Sequence, residues 1–239
     1  MKRLLSPGLL TLLSSATLLA QNFPAATLPP EVQAQVQKLS SDSLAHQIQA
    51  AWTIGEMGAK AAPAIPILFE RLKGYDGMVD VDTVLFKYFP PNTAFLFYQG
   101  KAATINPVHI VLTNALAKIG NPVIPRAAAD LRAADPTELY FAYLSDLLAM
   151  ISDSEANAIV IDLLKDANPH VRFRAAESLK YAASLLSLDA LINALQDPEQ
   201  SVRDAALVSL ERRTKQNFGT DAKKWREWRA QQSLHGSAA

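Results

Sequence analysis

Apolar positions along the chain recur with a period close to that of an α-helix, and whole blocks of them return about 31 residues later. Asp166-Ala-Asn-Pro-His-Val171-Arg172-Phe-Arg-Ala175-Ala-Glu-Ser-Leu179 aligns without gaps on Asp197-Pro-Glu-Gln-Ser-Val202-Arg203-Asp-Ala-Ala206-Leu-Val-Ser-Leu210. In the same register Asp135-Pro136 marks a turn, and Leu144, Leu147 and Leu148 form a buried stripe. At an offset of 32, Leu112, Ala115 and Leu116 take those places, and Ala50, Thr53 and Ile54 take them before that. The register counts five copies.

Each copy predicts a pair of helices. The first opens with Asp, Asn or Ser just ahead of Pro or an acid, the chemistry of an N-cap and a first turn. It then carries apolar residues at i, i+3, i+4 and i+7. Gly58 and Gly120 end two of these helices, as a left-handed C-terminal cap requires. Second helices are predicted over Ala62 to Lys73, Pro122 to Ala133, Ser154 to Lys165 and Leu188 to Gln196. Their prolines, Pro63, Pro66, Pro122 and Pro125, fall in first turns, where a missing N–H costs little. One pair cannot bury its own apolar face, whereas a stack of pairs makes a continuous core. The expected fold is therefore all-α: an α-solenoid, or α-α superhelix, of about five helix pairs spanning residues 31–231. Glu31 to Leu39 is expected to close one end. At the other, residues 218–231 form a cap, with Trp225 and Trp228 on one face of a short helix, covering the last repeat. The polar tail, residues 232–239, is expected to be disordered.

Residues 74–103 lose the lettering. Ile54 to Leu116 spans 62 residues, twice the period, so the interval has room for a sixth, strongly diverged repeat. An insertion is the alternative that its aromatic content favours: Tyr75, Phe86, Tyr88, Phe89, Phe95, Phe97 and Tyr98 are seven of the 18 aromatic residues. Val81 to Phe89 suits a helix, Pro90-Pro91-Asn92 a turn and Thr93 to Tyr98 an extended stretch. Such rings either pack a small core of their own or anchor a partner, since repeat insertions often form a binding face. Phe86, Tyr88, Phe89, Phe95, Phe97 and Tyr98 are the candidate partner-binding residues.

The Asp-Pro-x-x-x-Val-Arg-x-x-Ala-x-x-x-Leu lettering of the last two copies resembles HEAT repeats, as does the wording from Gly55 to Leu68. It looks most like the short bacterial type first associated with phycobilisome lyases, because the general HEAT period is about 40 to 47 residues. The resemblance covers residues 41–73 and 106–214, and Phe218-Gly219-Thr220-Asp221 followed by Trp225 and Trp228 is similar to an ending found after HEAT arrays in exported bacterial proteins. It implies a protein-binding superhelix. It also implies a rival, an accessory protein that attaches or removes a bilin. Such proteins work in the cytoplasm.

The N-terminus speaks against that rival. Lys2 and Arg3 precede an uncharged, leucine-dominated run from Leu9 to Ala20, the layout of a secretory signal peptide over residues 1–20. The run of about 12 residues is short of the ~20 needed to cross a bilayer. Retention as an anchor is the alternative, and Ala20, Ala25 and Ala26 offer cleavage sites; residues 21–30 then act as a linker. Export to the periplasm or the extracellular space is expected. No stable membrane span is expected once the signal is cleaved. The chain has no Cys, which excludes disulfides, thiolate catalysis and thiolate metal sites. Its 23 basic residues balance 23 acidic ones, so no global field favours nucleic acid.

Catalytic and cofactor signatures are missing from the sequence: no glycine-rich dinucleotide or phosphate loop, no nucleophile elbow and no His-Glu-x-x-His. His46, His109 and His170 fall near the starts of first helices, about 10 Å apart by helix-packing distance, too far to share a metal. No metal, cofactor or catalytic residue is expected. Arg172 and Arg203, with Asp166 and Asp197, recur in step with the apolar stripe and predict turn capping and ion pairs between repeats. Residues 201–229 hold 8 basic and 4 acidic residues, a solvated helical face in this reading. The expected function is that of a monomeric, non-enzymatic protein–protein interaction scaffold, with a purely structural envelope spacer as a further alternative. Second helices are expected to line a concave groove, where Arg71, Arg126, Asp130, Arg132, Asp162 and Asn193 offer polar contacts.

Overall fold

A computed structural model of the protein describes residues 28–74 and 107–236. They form an α-solenoid of eleven α-helices, with no strand among the described residues. In chain order these are α1 Pro30–Lys38, α2 Leu44–Glu56, α3 Ile65–Lys73, α4 Pro107–Ile119, α5 Ile124–Ala133, α6 Leu139–Met150, α7 Ser154–Leu163, α8 Pro169–Ser178, α9 Leu185–Ala194, α10 Gln200–Thr214 and α11 Ala222–Gly236. The even-numbered helices are the first members of five pairs and the odd-numbered ones from α3 on are the second members. α11 packs beside α9, so the cap fills the place of the fifth second helix.

The repeat register reappears as turn chemistry. Asp135, Asp166 and Asp197 each use Oδ1 to accept the backbone N–H two residues on, from Thr137 at 2.8 Å, Asn168 at 2.7 Å and Glu199 at 2.9 Å. These aspartates shape the turn before the helix and do not cap it, which corrects the expected N-cap. In the fourth copy the cap is Asn168, whose side chain accepts the His170 N–H at 2.9 Å. Gly58 and Gly120 hold φ at 54° and 84°, a region open to glycine at little cost. Two second helices start later than the sequence suggests. 3-10 segments over Gly58–Ala64 and Asn121–Val123 take up Pro63 and Pro122, leaving Pro66 and Pro125 in the first turns of α3 and α5.

First helices meet through small residues that bring backbones close. A Cβ on Gly55 would lie 3.0 Å from the Ala115 Cα, so α2 and α4 touch where a side chain would push the neighbouring backbone away. Between α8 and α10, Ser209 Oγ donates to the Ala176 carbonyl at 2.7 Å. Long side chains add ties in both layers: Lys118 on α4 pairs with Glu56 on α2, Arg126 Nη2 on α5 reaches Glu70 on α3 at 3.0 Å, and Arg229 on α11 reaches Asp189 on α9 at 3.1 Å. Pairs one and two are therefore direct neighbours in both layers. Other pairs are linked by residues 134–138, 164–168 and 195–199, and these two by residues 74–106.

Both ends are closed. Val32 and Leu39 are buried at the start of the stack. At the far end Trp225 is fully buried, donates Nε1–H to the Gly219 carbonyl at 2.8 Å and receives the Phe218 ring edge-on at 4.9 Å. Its cap helix begins at Asp221, whose Oδ1 accepts the N–H groups of Lys223 and Lys224. α11 continues to Gly236, so residues 232–236 are helical where the polar lettering suggested a disordered tail.

Candidate functional site

The second-helix layer opens between α7 and α9. Among the described residues no side-chain hydrogen bond or ion pair spans these two helices, and a cleft of about 550 Å³ separates them. Ala158, Ile161, Asp162, Leu164 and Lys165 form one wall; Leu186, Asp189, Ala190, Asn193, Ala194 and Asp197 form the other. The sequence explains the opening. Alanines at 158, 190 and 194 leave unfilled the kind of space that longer side chains bridge between α3 and α5 and between α9 and α11. Leu186 on its wall is 70% exposed, and the adjacent Leu185 is 53% exposed.

The six polar candidates separate by role. Arg71 donates to Ser40 Oγ, and Arg126 is shared between Glu70 and Asp130 above the Phe69 ring. Asp130 also receives the Tyr140 hydroxyl at 2.5 Å and Lys73 at 3.3 Å. Burial alone would raise its carboxyl, but Tyr140, Arg126 and Lys73 together hold it below its usual range. Arg71, Arg126 and Asp130 are thus struts between helices. Arg132 is exposed and lies apart from the cleft. Asp162 and Asn193 line the cleft, Asp162 beside Lys165 at 2.7 Å and Asn193 beside Arg226 at 3.2 Å. The aromatic candidates Phe86, Tyr88, Phe89, Phe95, Phe97 and Tyr98 lie outside the described residues.

The recurring arginines do what their register predicts. Arg172 donates from Nε and Nη2 to both oxygens of Asp197 at 2.8 and 2.9 Å, and from Nη1 to the carbonyls of Asp166 and Ala167. One side chain closes its own turn and grips the next one. Burial would raise the Asp197 carboxyl, yet this fork holds it below its ordinary value. Arg203 closes its turn through the carbonyls of Asp197 and Pro198. One period beyond Asp197 stands Trp228, so the ladder of forks stops at the cap. The basic stretch near the C-terminus is likewise taken up by structural contacts, from Arg213 to Ser184 and Ser187, from Arg226 to Asn193 and from Arg229 to Asp189.

Sequence reasoning missed a buried polar cluster between α6 and α8. Asp146 is buried and accepts the Ser178 hydroxyl at 2.6 Å, beside Glu177, Arg174 and Lys180. Burial pushes its pKa up to about 6, against the pull of Lys180, Ser178 and Arg174. The Lys180 ammonium is in turn lowered by burial. The signal was present, since Asp146 is the one charged residue in the apolar run of α6. The histidines stay separate: His46 and His170 are exposed, and His109 is buried against the Tyr143 ring at 4.7 Å. No group of three metal-ligating side chains occurs among the described residues.

Comparison with known proteins agrees with this architecture. Residues 124–211 match the family model described as HEAT repeats, from the start of α5 into α10. No curated protein matches the chain. Solved structures that match include the complex of CpcE and CpcF of phycocyanin lyase from Nostoc sp. PCC7120, at 20% identity and a TM-score of 0.40 over 82% of this chain and 70% of that one. Nothing about function rests on that likeness. No helix among the described residues is long and apolar enough to cross a membrane.

Proposed function

We propose that this chain, with HEAT repeats at residues 124–211, is a non-enzymatic protein–protein interaction scaffold exported from a bacterial cytoplasm. The cleft between α7 and α9 carries this reading: a concave apolar surface with a few polar groups at its edge is the usual form of a binding site. HEAT repeats fit the role, because stacked helix pairs present an extended surface on a scaffold of short-range contacts. Export is supported by the Lys2-Arg3 start and the uncharged run from Leu9 to Ala20. The insertion aromatics Phe86, Tyr88, Phe89, Phe95, Phe97 and Tyr98 are proposed as a second contact surface, and the scaffold is proposed to act as a monomer.

Chemical crosslinking and capture from the exported fraction tests this. The wild type is compared with a Phe95→Ser, Phe97→Ser, Tyr98→Ser variant and with Ala190→Phe, after circular dichroism shows equal helicity. A defined protein recovered with the wild type and lost from one variant supports the scaffold and tells the two surfaces apart. Recovery no different from an unrelated bait refutes it and leaves the spacer alternative. Sequencing the N-terminus of the exported protein checks the targeting: a start just after Ala20, Ala25 or Ala26 is expected, and a chain retaining Met1 in the cytoplasm overturns export.

A further inference from the structure

We infer that the seam between the third and fourth pairs is a joint locked by a proton: with Asp146 protonated α6 stays seated on α8, and with Asp146 ionised the two pairs swing apart. The inference goes beyond the binding role and does not depend on what the cleft takes up.

The first support is how this seam is built. Among the described residues, each of the other seams carries polar side-chain ties at two places. Pairs one and two are joined by Glu56 with Lys118 and by Glu70 with Arg126, and pairs two and three by Asn121 with Asp153 and by Tyr140 with Asp130. Pairs four and five are joined by Arg213 with Ser187 and by Arg229 with Asp189. Pairs three and four differ. Their second helices, α7 and α9, face each other across the open cleft, and their first helices meet where the Ser178 hydroxyl donates to Asp146 at 2.6 Å. A swing about this seam therefore breaks no side-chain bond in the second layer.

The second support is the surroundings of Asp146, the one charged residue in the apolar run of α6. The charges acting on it come from α8 and the turn after it, namely Arg174, Glu177 and Lys180. Glu177 already pairs with Arg174 at 3.1 Å and lies 3.8 Å from Lys180, so neither cation is dedicated to Asp146. Tyr143 stands one turn back on α6, against His109 of α4; Tyr181 follows Lys180, and Arg212 of α10 acts on both Lys180 and Tyr181. Burial outweighs these partners and raises the carboxyl from 3.8 to about 6. Above that pH the closed seam holds a carboxylate deprived of water. Swinging the pairs apart wets it without unwinding either helix, and the cleft on the same seam widens with it.

The chain has no cysteine, so an introduced thiol reports this motion in the full-length protein. Ala175→Cys lies one turn from Ser178 on α8, and Ala206→Cys is its counterpart one period on, one turn from Ser209; both positions are fully buried. Each is made with and without Asp146→Asn, checked by circular dichroism and labelled with dithiodipyridine at pH 5 and at pH 7.5. Dividing each rate by the rate in the Asp146→Asn background cancels the thiol's own pH dependence. A carboxyl at about 6 when closed and 3.8 when wetted predicts that the ratio for Ala175→Cys rises about tenfold between the two pH values. At pH 7.5 Ala175→Cys is also expected to react at least tenfold faster than Ala206→Cys. A ratio that stays flat overturns the proton lock. Equal rates at the two sites overturn the joint, because ionisation then loosens the whole array at once. Ala149→Cys, buried one turn from Asp146 on α6, repeats the measurement from the other side of the seam with the same expected and refuting results.

Discussion

Replacing Asp146 with Asn gives a stability change that depends on pH, and the size of that dependence follows from the structure. The carboxyl is buried between α6 and α8, and its pKa moves from an ordinary 3.8 to about 6. Because the folded value lies above the unfolded one, the protonated form favours the fold. That contribution is complete below pH ~4, is lost as pH rises through about 6, and stays lost above it. The displacement of about two units corresponds to about 3 kcal/mol. In a chain of this size it amounts to a melting-temperature change on the order of 10 °C. Asn keeps the shape and the acceptor for Ser178 but carries no charge at any pH. The expected outcome is that the Tm of Asp146→Asn minus that of the wild type grows by about 10 °C between pH 4 and pH 7.5, as read by differential scanning calorimetry in matched buffers. Taking this difference cancels whatever the amide itself costs in packing. A Tm difference that stays flat across the range refutes the account of a desolvated carboxylate. Lys180→Met supplies an independent check: removing the positive charge that favours the ionised form is expected to move the wild-type midpoint to higher pH.

The Arg172–Asp197 fork is expected to show a coupling of about 1–2 kcal/mol in an Arg172→Met, Asp197→Asn double-mutant cycle followed by urea unfolding; a coupling near zero makes the fork ornamental. Trp225→Ala is expected to cost about 3–5 kcal/mol and to loosen α10 and α11 together in hydrogen exchange, since it opens a cavity under the cap. Gly55→Val is expected to destabilise by about 1–3 kcal/mol, because its side chain meets the Ala115 backbone and not a flexible tip; a neutral result shows that α2 and α4 separate easily. Lys215 holds φ at 59° at the end of α10, so Lys215→Gly is expected to be neutral to slightly stabilising by thermal melt, where Lys215→Val costs about 1 kcal/mol or more.

The fold was legible because its rule is written several times over. Asp135, Asp166 and Asp197 stand one period apart and make the same turn bond, so even the degenerate third copy declares its place. Arg172 could be given a partner in the next repeat for the same reason. The cleft was not legible, because an alanine at 158, 190 or 194 reads in sequence as helix filler. Only the arrangement of neighbouring helices shows that nothing longer crosses the gap. Polar residues on second helices were equally ambiguous. Arg126 and Asp162 share a pattern position class, yet one is locked between Glu70 and Asp130 and the other stands at the rim. Distinguishing strut from rim requires knowing which neighbour carries the opposite charge at the right height, and that depends on a helix in another repeat.

The contact between Gly55 and Ala115 has a bearing on the order in which the chain assembles. Elsewhere neighbouring pairs are tied by bonds of short reach in sequence, such as Asp146 to Ser178 across 32 residues and Ala176 to Ser209 across 33. Across the first seam the ties from Glu56 to Lys118 and from Glu70 to Arg126 span 62 and 56 residues. Contacts about twice as distant in sequence lack the local advantage that lets a repeat array zip from one neighbour to the next. Residues 107–236 are therefore expected to assemble by short steps, and α1 to α3 to dock on them late. In a pulse-labelled refolding experiment the amides of α2 are expected to gain protection after those of α8 and α10, and simultaneous protection refutes this order.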